Sequence, residues 1–282
     1  MTSAEAFGRN HRDPTEGGVP ALRIGLVGFG AIGSVVGNFL IQEQISGVTL
    51  GGVLDPICPP ESFAVRDLDE LIETNDVIVE AAGPRALSDA VAPVLEASKL
   101  LVAVSIGAFL SPELQRFVRP GATGGRLVLT TGAIAGLDLV RAARMADGAA
   151  SVKLRSTKKP SALVQPWMSE DERAALESAG EPRTLFQGSA IEAARLFPQN
   201  LNVAAALAIA AGDVNSVEVE LVADPRAQLT HHDIRIRSAL GKHRLELENL
   251  PSPDNTATSG LVPRAVLRCL SELPRQSAVL FR

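Results

Sequence analysis

Cysteine occurs only twice in the 282 residues, as Cys58 and Cys269, and histidine only four times. Two distant cysteines make neither a disulfide framework nor a metal-ligand or redox spacing, so no metal is expected and a reducing, cytoplasmic setting fits best. Basic runs are lacking too. The net charge is −5 and the pI near 5.5, which argues against nucleic acid and anionic membrane as partners. No stretch approaches the ~18–20 uninterrupted apolar residues of a membrane helix. The first 20 residues hold Arg9, His11, Arg12, Asp13 and Gly17-Gly18 with no apolar core. They are expected to be a polar, poorly ordered lead-in rather than a secretory signal. Internal repeats and low-complexity segments are absent as well. What remains, 46% hydrophobic and 21% charged residues, is the balance of a folded chain with a full core, long enough for two domains.

Along residues 22–129 short apolar runs alternate with helical patterns. Strands are expected at 22–27, 48–54, 76–82, 100–104 and 127–129, and helices at 31–44, 68–72, 86–97 and 112–118. Alternation at this pitch predicts right-handed crossovers and a parallel sheet with helices on both faces. After about residue 150 the pattern changes. Val217-Glu218-Val219-Glu220-Leu221 and Ile234-Arg235-Ile236-Arg237 alternate with period two, which indicates strands with one wet face. Strands are expected at 152–156, 217–222, 234–238 and 244–248. Helices are expected at 191–196, 201–211 and 261–273, with a charged surface helix or excursion at 169–181. The expected fold is α/β, a Rossmann-type doubly wound parallel sheet, with a second α+β domain carrying a mixed open sheet covered on one side by helices. The expected division is 1–20 lead-in, 21–132 dinucleotide-binding domain, and 133–259 substrate, catalytic and dimerisation domain, with closing helices returning from 260–282.

The first strand runs into Gly28-x-Gly30-x-x-Gly33, with Ala31 and Ile32 in between, at the start of a helix. Gly28 permits a tight turn, Gly30 has no side chain to block a pyrophosphate, and Gly33 lets helix and strand approach closely. The helix N-terminus then offers free N–H groups to phosphates. Asp55, closing the second strand, is placed to accept hydrogen bonds from ribose hydroxyls and to repel a 2′-phosphate, favouring NAD while leaving NADP possible. Two small-residue turns, at Glu80-Ala81-Ala82-Gly83 and Ser105-Ile106-Gly107-Ala108, are expected to line the same crevice, Ala82 among them.

Several later segments are more specific. They are Ser105-Ile106-Gly107-Ala108-Phe109, Thr131-Gly132-Ala133-Ile134-Ala135-Gly136-Leu137-Asp138, Phe186-Gln187-Gly188-Ser189-Ala190, Phe197-Pro198-Gln199-Asn200-Leu201-Asn202-Val203-Ala204-Ala205, and Asn255 with Thr258-Ser259. In this order, from about residue 22 to residue 273, the chain resembles the L-aspartate dehydrogenase family. The resemblance implies NAD- or NADP-dependent oxidation of L-aspartate to iminoaspartate, which hydrolyses to oxaloacetate and ammonia, in the service of NAD biosynthesis. It matches Ala133 and Asn202 to positions that contact the nicotinamide cofactor, and His232 to the catalytic histidine. Where the family usually has asparagine two residues before that histidine, this chain has Thr230, and its Asn-Pro pair is Asn255-Thr256 here.

Given that implied chemistry, periodicity selects a histidine independently of the resemblance. Oxidising an amine needs a base and groups that hold carboxylates. Near neutral pH that base is most readily histidine. His231 and His232 open one expected strand and His243 the next. His232 is in phase with Ile234 and Ile236 and so faces inward, whereas His231 shares the wet face with Asp233 and Arg235. Activity is therefore expected to rise with pH through the titration of His232. Asn202, in an alanine-rich helix, suits the nicotinamide carboxamide. Lys158 or Lys159, with Lys159 placed first, and Ser259 are candidates for the substrate carboxylates. The half-exposed sheet suggests a homodimer. Two other readings stay open. One is a different two-domain oxidoreductase acting on homoserine or a dihydrodipicolinate-like imine; the other is an NAD(P)-binding sensor without catalysis.

Overall fold

The computed structural model describes residues 20–57, 59–118, 124–146, 150–198, 200, 202–253, 255 and 258–274. The lead-in up to residue 19 with His11, together with Cys58 and Thr256, lies outside the described residues. Strand β1 (Leu22–Val27) leads into α1 (Gly33–Ile41), followed by β2 (Val48–Leu54), α2 (Leu68–Thr74), β3 (Val77–Glu80), α3 (Pro84–Glu96), β4 (Leu100–Ala103), α4 (Pro112–Gln115) and β5 (Arg126–Leu129). The strands form one five-stranded sheet in the order β2-β1-β3-β4-β5, all parallel.

Both faces of this sheet are covered, as its continuous apolar strands require. Ile24, Leu26, Val79 and Val102 pack on one side against Val36 and Leu40 of α1. Ile78, Leu101 and Ala103 pack on the other against Leu71 of α2 and Leu87, Val91 and Val94 of α3. The chain reverses direction across the sheet between β1 and β3, and ligands of open α/β sheets bind at the carboxyl ends beside such a switch point.

The second half begins with α5 (Leu137–Ala146) and β6 (Ser151–Lys158). It continues through α6 (Glu170–Glu177), β7 (Arg183–Ser189), α7 (Ala190–Leu196), α8 (Asn202–Ala210), β8 (Val217–Ala223), β9 (Thr230–Ser238) and β10 (Gly241–Asn249). Its sheet has the order β10-β9-β6-β8-β7, with β6 and β8 parallel and the outer pairs antiparallel. Helices α5, α7 and α8 cover one face, where Val152, Leu154, Val219, Ile234 and Ile236 are buried. The run Ala204–Ala208 in α8 is buried throughout, small side chains letting that helix lie close to the sheet. The other face is ion-paired rather than apolar. Lys153 meets Glu218, Arg155 meets Glu220, and Asp233 sits between Arg235 and Arg244.

Helix α9 (Val262–Glu272) returns to the first sheet, where Val266, Leu267 and Leu270 join the layer that holds α1. Two elements were not anticipated in the sequence. Strand β7 is half-exposed along its length and shows no clear alternation, and α5 is hidden behind the glycine-containing segment that precedes it. The expected 169–181 excursion resolves into α6, fixed at its start by a reciprocal capping box between Ser169 and Glu172. Among the described residues no helix is long and apolar enough to cross a membrane, and no cluster of potential metal ligands occurs.

Candidate active site

The glycine turn assigns a different task to each of its glycines. Gly28 has φ +95°, and a Cβ there would come within 2.8 Å of Ala82. A Cβ on Gly33 would fall 2.0 Å from the Gly28 carbonyl oxygen, whereas one on Gly30 would meet nothing within 4 Å. Gly28 and Gly33 are thus needed by the protein itself. Gly30 faces open space, where a pyrophosphate would lie beside the start of α1. Asp55 braces the turn. One carboxylate oxygen accepts the Phe29 N–H at 2.7 Å and the other the Ile57 N–H at 2.8 Å, so its charge is held at the end of β2. These features fit a dinucleotide.

A second carboxylate does the same for the neighbouring turns. Glu80, wholly buried at the end of β3, accepts the N–H groups of Ala82 and Gly83 on one oxygen, along with the Ser105 hydroxyl, and the Ser105 N–H on the other. Burial pushes its carboxyl upward, opposed by those donated hydrogen bonds. An anion accepting this many donors is the species such a cage suits.

Between the two sheets opens a cleft. From the first half it takes Ile32, Val104, Ile106 and Thr130; from the link between halves, Thr131, Gly132, Ala133 and Ile134. The second half supplies Lys158, Asn202, Thr230 and His232, and the approach to α9 supplies Thr258, Ser259 and Val262. Asn202 opens α8, and its Oδ1 accepts the Gly107 N–H at 2.9 Å, latching the turn after β4 to the second half. The Ala133 carbonyl accepts from Asn249. Ser259 accepts the Leu261 N–H on its Oγ, which leaves the hydroxyl proton to be donated. Neighbouring Asn200, by contrast, is spent on the fold, donating to Ala162 and accepting from Gln165.

His232 is 2% exposed and lies in phase with Ile234 and Ile236, while His231 is on the half-exposed opposite face. Burial lowers the His232 pKa to about 3, with the nearby Lys158 and His231 charges acting in the same direction. In the ligand-free protein desolvation thus holds His232 neutral throughout the ordinary pH range, below the near-neutral titration expected from the sequence. Lysine placement also needs correction. Lys159 is exposed and does not line the cleft. Lys158 is 5% exposed, because it continues the inward row of Val152, Leu154 and Ser156 along β6. Burial lowers its pKa to about 8. The alternation in Val152–Lys158 was legible and selects Lys158 once the strand is extended by two residues. Thr131 and Thr258 fall in segments that carry the family resemblance but were given no role, and Thr130, which also lines the cleft, has no local pattern to mark it.

Residues 138–273 match the family model described as the C-terminal domain of aspartate dehydrogenase, and residues 28–122 match the NAD-binding domain of homoserine dehydrogenase. L-aspartate dehydrogenase 2 of Bordetella bronchiseptica is 37% identical over 87% of this chain and 94% of its own. The chain belongs to the L-aspartate dehydrogenase family. A more distant member, from Methanothermobacter thermautotrophicus, is 32% identical over 89% of this chain and 96% of its own. The crystal structure of aspartate dehydrogenase from Thermotoga maritima superimposes with a TM-score of 0.69 at 23% identity, covering 93% of this chain and 99% of that one, and shares the fold. Membership of this family makes the protein an oxidoreductase with a nicotinamide cofactor, which sets the sensor reading aside.

Proposed function

We propose that the protein oxidises L-aspartate at its amino-bearing carbon, yielding iminoaspartate that water converts to oxaloacetate and ammonia, a supply route toward NAD. The observation that carries this reading is one cleft that joins a buried neutral imidazole, His232, to a buried lysine, Lys158, beside the nucleotide turn. Bound NAD, or NADP, would supply the hydride acceptor. Gly28, Gly30, Ala31, Ile32 and Gly33 would hold its pyrophosphate end with Ala82 alongside, and Asp55 its ribose. Ala133 and Asn202 would hold the nicotinamide end. The fixed negative charge of Asp55 disfavours a 2′-phosphate, so NAD is the preferred form.

Lys158 and Ser259 are the groups proposed for the substrate carboxylates, and His232 the base that takes a proton from the substrate ammonium or from attacking water. An imidazole titrating near 3 is a poor base on its own. Two substrate carboxylates brought into the same low-dielectric cleft favour the protonated ring and the protonated lysine together, raising both pKa values. A bound dicarboxylate would thus make His232 a more competent base. This supports L-aspartate over homoserine, which has a single carboxylate.

Residues 21–132 are proposed to work as the dinucleotide-binding domain, with 133–259 as the substrate and dimerisation domain, in a cytoplasmic homodimer. Its support is the open face of the second sheet, where Lys153 and Arg155 alternate against Glu218 and Glu220. Reduced-nicotinamide absorbance followed with both cofactors against L-aspartate, L-homoserine and a panel of L-amino acids tests the activity. Turnover confined to L-aspartate is expected, and turnover of homoserine in its place would overturn it. A monomeric mass in solution would remove the dimer.

A further inference from the structure

Strands β6 and β9 are antiparallel neighbours, and their register sets Ser156 directly opposite His232. Both side chains point to the helix-covered face, in a row completed by Leu221 on β8 and Leu247 on β10. Below this row the face is apolar: Leu154 stands opposite Ile234, and Ile234 opposite Leu245. Above it lie Lys158 and Thr230, at the cleft. Ser156 and His232 therefore form the first polar pair between the sheet's dry interior and the cleft, flanked on either side by leucine.

Ser156 is 0% exposed and His232 2% exposed. The Ser156 Oγ and the His232 Nδ1 are both buried without a hydrogen-bond partner. Buried polar atoms are almost always paired, and residues directly opposite across an antiparallel pair have Cβ atoms roughly 5 Å apart. One contact, direct after a side-chain rotation or through a single trapped water, satisfies both atoms at once. The flanking leucines provide no competing side-chain partner within the row.

We infer that Ser156 is a positioning residue for His232, accepting a hydrogen bond from its Nδ1–H and so fixing the ring tautomer. With Nδ1 buried, the ring edge carrying Nε2 is the one left for the cleft. A proton on Nδ1 leaves the Nε2 lone pair free, which is the form a base requires. Without the serine acceptor the neutral ring divides between its two tautomers, and the form with the proton on Nε2 cannot accept one from substrate. The inference rests on the reading of His232 as the base.

The test is a long-range nitrogen–proton NMR spectrum of the full chain labelled at histidine, without cofactor or substrate. With only four histidines, His232 is assigned by its loss in His232→Asn. The expected wild-type state is Nδ1 protonated and Nε2 bare. Ser156→Ala should shift the ring toward the Nε2–H form and lower kcat about tenfold, the scale of one hydrogen bond, with KM for the cofactor unchanged. Ser156→Thr, which keeps the hydroxyl, should restore both. A wild-type ring protonated on Nε2, or a tautomer indifferent to Ser156→Ala, overturns the inference. A kcat loss in Ser156→Ala without a tautomer change marks a merely structural serine and overturns it too. An active His232→Asn enzyme would instead sink the base reading and leave the tautomer result standing.

Discussion

The parallel sheet and the mixed sheet meet at one cleft but bring different kinds of group to it. The parallel sheet presents turns. Its buried or half-buried carboxylates, Asp55 and Glu80, are engaged with backbone N–H groups of Phe29, Ile57, Ala82, Gly83 and Ser105, and Gly30 faces open space. The mixed sheet presents side chains. The inward row that is Leu154 and Ile234 deeper in the core becomes Ser156 and His232, then Lys158 and Thr230 at the rim. A turn made of backbone recognises what many substrates' enzymes share, and so residues 28–122 match a homoserine dehydrogenase model. Side chains differ from enzyme to enzyme where backbone does not, and residues 138–273 match the C-terminal domain of aspartate dehydrogenase.

If that division holds, changes on the two sides should separate kinetically. The largest effect is expected from His232→Ala, which should lower kcat by about 10²–10⁴, the usual worth of a positioned base, while leaving cofactor affinity measured by fluorescence titration unchanged. A parallel loss of cofactor binding would erase the contrast. Gly33→Ala should act on the other side. Its Cβ would fall 2.0 Å from a backbone oxygen, so the turn must open, at the ~1–3 kcal/mol of an overpacked site, lowering Tm and cofactor affinity together. Gly30→Ala meets nothing in the protein and should weaken the cofactor with Tm intact. Thermal melts with and without NAD separate the two variants.

The parallel half was the more legible in the sequence, because buried parallel strands such as Leu100–Ala103 are continuous apolar runs and the glycine spacing marks its turn. What could not be read there was Glu80. A carboxylate at a strand end looks the same whether it cages backbone N–H groups or faces solvent. In the mixed half, period-two alternation selected His232 over His231, since only one of two adjacent strand residues faces inward. It did not reach the two lysines because the strand was ended at Ser156, two residues before the Lys158 that continues the buried row. Strand β7 escaped notice because both its faces are partly wet, and Thr130 became visible only when the fold placed it in one cleft with Thr230 and His232.

Lys158→Met gives a smaller and two-sided effect. With a substrate carboxylate partner gone, KM for L-aspartate should rise about 10–100-fold, in keeping with the ~1.5–3 kcal/mol of a hydrogen bond to a charged group, with cofactor affinity unchanged. The same substitution in the free enzyme should stabilise the fold. Burial holds the Lys158 pKa at about 8 against 10.5 for the ordinary side chain, so below pH 8 folded and unfolded chains both carry the proton and the folded state bears the net cost that the lowered pKa expresses. Between pH 8 and 10.5 the unfolded chain binds more protons than the folded one, and wild-type stability gains with rising pH. Methionine abolishes that dependence. The variant should therefore be more stable than wild type by an amount on the order of 3 kcal/mol, at ~1.4 kcal/mol per pK unit, up to about pH 8. Denaturant titrations at pH 7, 9 and 10 should show the gap closing as the folded lysine sheds its proton while the unfolded one keeps it. A gap constant across that range would mean that Lys158 is already neutral or already fully compensated in the folded cleft, and the side-chain half of the comparison would then rest on His232 alone.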